Sequence, residues 1–130
     1  MKSFRMTLLA AVALLMLFGA FSYTFVLLPD LHGDLTEIGV RRRVLGTTVL
    51  HLQFAAAAMW AFALMVCLAV VETMRGKSIA RAPLAIIATI YVVFGATAFS
   101  ASHNPHHLGP VAMGVLLGVA LLFPIPAPSL

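Results

Sequence analysis

Three long stretches of this chain, residues 6–28, 44–71 and 82–102, contain no Asp, Glu, Lys or Arg. A helix on the surface of a soluble fold needs a polar face, and these runs offer none. A run of ~20 apolar residues, rising about 1.5 Å each, crosses the ~30 Å hydrocarbon core of a bilayer, so each stretch predicts a spanning helix. Composition points the same way. Charged residues make up only 9% of the 130 and hydrophobic residues 62%, whereas a soluble domain carries roughly a quarter charged.

A fourth apolar run, residues 110–123, supplies only about 21 Å of helix at the standard rise. Pro110 suits a first helical turn, and Pro124, Pro126 and Pro128 stop any helix that follows it. Starting the helix earlier, near His106, lengthens it, and local thinning of the bilayer serves the same end. The expected fold class is therefore all-α. It is an antiparallel up-and-down bundle of four transmembrane helices, one domain over residues 1–130. The alternative is three spans and a re-entrant C-terminal segment, because runs under ~15 residues often behave that way.

Polar connections separate the runs. Residues 29–43 read as a charged loop with Asp30, Asp34, Glu37 and the triplet Arg41, Arg42, Arg43. Within it Asp34-Leu-Thr-Glu37 has the form of a capping box, which predicts a second helix starting near Leu35. Residues 72–81 read as a short basic turn and 102–109 as a His-Asn-Pro turn.

With the N-terminus inside, Lys2, Arg5, Arg75, Lys77 and Arg81 fall on the cytoplasmic side, against Arg41, Arg42 and Arg43 outside. The positive-inside rule then favours an inner-membrane, multi-pass protein with both termini cytoplasmic. Ala20-Phe21-Ser22 offers small residues at a signal-peptidase spacing, but the apolar run continues to Leu28, which favours an uncleaved first span. The net charge of +4 lies in the flanks, beside anionic headgroups, so the expected partner is the lipid bilayer and not nucleic acid. Cys67, the single cysteine, sits mid-span and can form no intramolecular disulfide.

No ionisable acid or base occupies the middle of any span, which argues against ion-coupled transport. Gly114-Val-Leu-Leu-Gly118 is a small-xxx-small motif that lets a second backbone approach, so Gly114 and Gly118 are candidate packing positions. The Ala55–Ala58 run thins the second helix similarly. These faces serve either packing within one bundle or contact with a second copy or a larger membrane subunit.

All five histidines, His32, His51, His103, His106 and His107, fall near the two connections that up-and-down threading puts outside. The face shared by Thr47, His51, Ala55 and Ala58 predicts an imidazole turned between helices, with Ser100, Ser102 or a histidine at the end of the third helix as hydrogen-bond partner. Gathered imidazoles, with Asp30, Asp34 or Glu37, would suit Zn²⁺ or Cu²⁺. His51 and His103 would suit the two axial positions of a b-type haem. The turn His103-Asn-Pro-His106-His107 also resembles one histidine box of the membrane desaturases and hydroxylases. Those enzymes hold two irons with several such boxes, and this chain has no second one. Ser100 and Ser102 lack an acidic orienter and an oxyanion hole, so no catalytic residue is assigned. The leading expectation is a small polytopic membrane protein without cofactor, acting as an accessory or scaffold subunit of a membrane complex. The alternative is a redox component binding haem or a transition metal through the outer histidines.

Overall fold

The computed structural model describes residues 2–123. Helix α1 runs Lys2–Ser22 and passes through one π-helical turn, Tyr23–Leu27, into α2, Leu28–Glu37. Helix α3 spans Arg42–Met74 and α4 spans Arg81–Ser102. A 3₁₀ turn, Pro105–His107, leads into α5, Leu108–Leu122. Four helical stretches among the described residues are long and apolar enough to cross a membrane: Ser3–Glu37, Arg42–Met74, Arg81–Ser102 and Pro105–Leu122.

Residues 29–37 are helix and not loop, which corrects the sequence reading. Pro29 lacks an N–H and clashes with the carbonyl four residues back, so an unmodified α-helix would break there. The wider turn just before it absorbs the conflict: the Leu28 N–H donates to Tyr23 O, one residue further back than α-helical pairing. The connection to α3 shrinks to residues 38–41, where Gly39 adopts φ +73°, a conformation open to glycine at little cost. The capping-box reading fails with the loop. Asp34 and Glu37 close the first long helix, with Asp34 O accepting from the Ile38 N–H at 3.0 Å. Helix α3 begins at Arg42 without a side-chain cap.

The last helix starts earlier than residue 110, because the Asn104 side chain accepts the His106 N–H at 3.0 Å and seeds the 3₁₀ turn. Pro105 then sits at a first helical position, where its missing N–H is harmless. The prolines at 124, 126 and 128 lie outside the described residues.

Helix α1 packs on α3 and α5, and α5 packs extensively on α4, whereas α3 and α4 scarcely touch. The order around the bundle is thus α3, α1, α5, α4, which differs from chain order. The core runs down one stripe of α1, Leu9, Val12, Met16 and Ala20, meeting Ala63 and Val66 of α3 and Leu117 of α5. Leu84, Ile87 and Tyr91 of α4 join it from the far side, and Ile79 folds in from the connection.

The α4–α5 seam is close because two glycines lie in it. A Cβ on Gly114 would stand 2.6 Å from Ala88 O, and one on Gly95 would stand 2.8 Å from His107 O. Gly118 differs from its motif partner. A Cβ there meets no atom within 4 Å, and the residue lines a shallow outer groove with Thr89, Val92 and Val115.

Most hydroxyls in these helices turn back on their own backbone. Thr24 donates to Ala20 O at 2.7 Å, Thr73 to Ala69 O at 2.7 Å and Ser102 to Ala98 O at 2.8 Å. Such bonds satisfy a hydroxyl where water is scarce.

Candidate functional site

The five histidines lie toward one end of the bundle. Among the described residues no group of three or more His, Cys, Asp or Glu side chains comes together to hold a metal ion. The described residues thus show no metal-holding cluster of His32, His51, His103, His106 and His107. His32 lies on the exposed surface of α2, and His51 is exposed on α3. The face of α3 turned inward carries Leu45, Leu52, Ala56, Ala63 and Val66, so Thr47 and His51 sit one step off it. Ser102 Oγ is committed to Ala98 O and to the Asn104 N–H, and makes no bond to His51.

The remaining three belong to the α4–α5 connection. His103 ends α4 in the left-handed region at φ 52°, its N–H donating to Phe99 O at 2.7 Å. Its ring meets Phe99 edge-on at 6.2 Å. Histidine is among the residues that tolerate this conformation, so a helix-ending role accounts for it. His106 is exposed and His107 half-buried, its carbonyl facing Gly95. The suggested haem ligands His51 and His103 stand on α3 and α4, the neighbours with least contact.

What does stand out at this end is a mismatch of helix lengths. The first two long helices, 35 and 33 residues, extend about 50 Å, whereas the last two, 22 and 18 residues, extend about 33 and 27 Å. The opposite ends are level. Phe4 meets Phe123 edge-on at 5.3 Å, and the Arg81 guanidinium donates to Phe123 O at 3.2 Å. The surplus length therefore projects at the histidine-bearing end, as a hairpin made of α2 and the first third of α3.

No residue of α2 is buried, and the first buried residue of α3 is Ala56. Leu28 and Leu35 are half-buried where α2 packs on α3. Elsewhere the hairpin carries Leu31, Ile38, Val44, Leu50 and Phe54 exposed, with Ile38 73% and Phe54 76% accessible. Asp30, Asp34, Glu37 and Arg41–Arg43 share the same tip.

One polar contact locks the hairpin where it leaves the bundle. Trp60 Nε1 on α3 donates to Thr24 Oγ1, inside the π turn, at 3.1 Å. Sequence reading missed both residues. The only available signal was a lone Trp beside an alanine run.

No family model matches this chain, and no similar protein is found among curated proteins or solved structures.

Proposed function

We propose that this chain is a non-catalytic accessory subunit of an inner-membrane complex, crossing the bilayer four times with both termini cytoplasmic. The projecting hairpin of α2 and α3 would carry the contact with a larger membrane protein. One observation supports this most strongly: apolar side chains lie exposed on the part of α2 and α3 that extends past α4 and α5. With the lower ends set at the cytoplasmic interface, ~30 Å of hydrocarbon reaches about twenty residues up each helix. That height corresponds to the region of Val26 on the first helix and Phe54 on α3. Leu31, Ile38 and Val44 lie above it and are exposed. A soluble surface carries single apolar residues without consequence, but a row of them on an otherwise unpartnered hairpin is an interaction surface. The charges interleaved with them suit the polar rim of such a contact.

Site-specific photo-crosslinking in intact membranes tests this reading. A photoreactive residue at Ile38 should give one discrete conjugate with another protein, while the same residue at Phe94, on the outer face of α4, should give none. Lipid or solvent adducts alone from Ile38 would remove the proposal. A conjugate at twice the chain's own mass would replace the larger subunit with a second copy.

A further inference from the structure

At the opposite end of the bundle lies a charge that the proposed subunit role does not use. Arg5 continues the inward stripe of α1, one turn below Leu9, and retains only 4% of its surface accessible. Its Nε and Nη2 are enclosed and have no hydrogen-bond partner among the described residues. Buried guanidinium nitrogens without acceptors are among the more expensive arrangements in a folded chain. Arg81 lies at the head of the corresponding stripe on α4, three residues before buried Leu84. The Phe4–Phe123 and Arg81–Phe123 contacts bring the two arginines to one corner, where their charges repel. Arg81 is itself exposed and can move toward an incoming group.

Two further features make the corner electropositive. Helices α1 and α4 both begin there, and a helix N-terminus presents unpaired N–H groups and the positive end of the dipole. Helix α5 ends at the same corner, and its last carbonyls, Phe123 O among them, offset part of this and already hold Arg81. Arg5 has no such acceptor among the described residues, and a buried guanidinium beside a second cation is a poor arrangement alone and a better one around an anion.

We propose that Arg5 and Arg81 form a binding site for the phosphate of an anionic phospholipid in the cytoplasmic leaflet. The level of the site decides for a lipid over a free anion. It lies where the apolar stripes of α1 and α4 end, at headgroup depth. Guanidinium groups suit phosphate because they donate in a planar fork, and basic residues next to spanning helices attract anionic lipids.

The test uses the full chain, purified in neutral detergent and stripped of lipid, with phosphatidylglycerol, phosphatidylcholine and inorganic phosphate as separate probes. Native mass spectrometry reads retained lipid, and the thermal unfolding midpoint reads its effect. Phosphatidylglycerol should be retained at one molecule per chain and raise the midpoint saturably, while the other two probes should do neither. Arg5→Gln and Arg81→Gln should each weaken retention by about tenfold or more, the scale of one lost charge-assisted bond. Lys77→Gln, an exposed residue of the α3–α4 connection at the same end, should leave it within about twofold of the native chain. Equal retention of phosphatidylcholine overturns the proposal, as does full retention by Arg5→Gln. Stabilisation by inorganic phosphate alone overturns the lipid assignment. Should Arg5→Gln fail to fold, the three-probe comparison on the native chain still decides.

Discussion

Gly95 and Gly114 show how much one absent side chain can determine in an apolar bundle. Lipid tails compete equally for any apolar surface, so helices in a membrane associate through close packing and polar contacts. Both glycines supply such packing, and any Cβ would press on backbone atoms at under 3 Å. Gly95→Ala and Gly114→Ala are each expected to destabilise by about 1–3 kcal/mol, the usual cost of overpacking. Gly118→Ala, which points into open space, should change stability by no more than ~0.5 kcal/mol. Thermal unfolding in detergent compares the three, and equal effects would remove the seam from the account. The small-xxx-small spacing made Gly114 legible in the sequence. Its partner Gly118 turned outward, because a spacing of four does not say which residue of the pair lies nearer the neighbouring axis. Gly95 carried no such motif, although it stands seven residues from buried Ala88 on the same stripe.

The elements were legible where hydropathy alone defines them and misread where local chemistry had to choose. The start and end of α4 match the third uncharged run, since charge at Arg81 and a turn after Ser102 bound it clearly. Pro29 misled because proline reads as a helix breaker, whereas the wider π turn before it, with the Leu28 N–H on Tyr23 O, lets the helix continue. Asp34 and Glu37 misled because acidic residues at that spacing can precede a helix as readily as they can end another. The π turn has a consequence at the same scale: it places Thr24 opposite Trp60. Thr24→Val and Trp60→Phe should each cost roughly 0.6–2 kcal/mol, the range for polar contacts between membrane helices. The double substitution should cost little more than either, because the two share one bond. Fully additive losses would show that the residues stabilise the hairpin separately.

For the whole molecule, the order of helices around the bundle mattered more than their number. Hydropathy indicated four candidate spans and one polar end, and four helical stretches among the described residues are suited to spanning. It could not give the lateral arrangement, because any apolar face meets lipid or another helix equally well. Helix α1 takes the place between α3 and α5, so α3, which carries His51, has little contact with α4, which His103 ends. The unequal hairpins were hidden for a related reason: a charged loop and a charged helical extension have the same composition. Depth is the most direct measure of the resulting account. Single cysteines at Gly33, Ala57 and Ala101, in a Cys67→Ala background, carry spin labels into a bilayer of known thickness. Collision with oxygen against a water-soluble relaxant then ranks their depth. The account predicts that Gly33 lies in water beyond the headgroups, Ala101 at the interface and Ala57 within the hydrocarbon. A label at Gly33 as deep as Ala57 would contradict it, since the hairpin would then lie in the bilayer and leave no projecting surface for a partner.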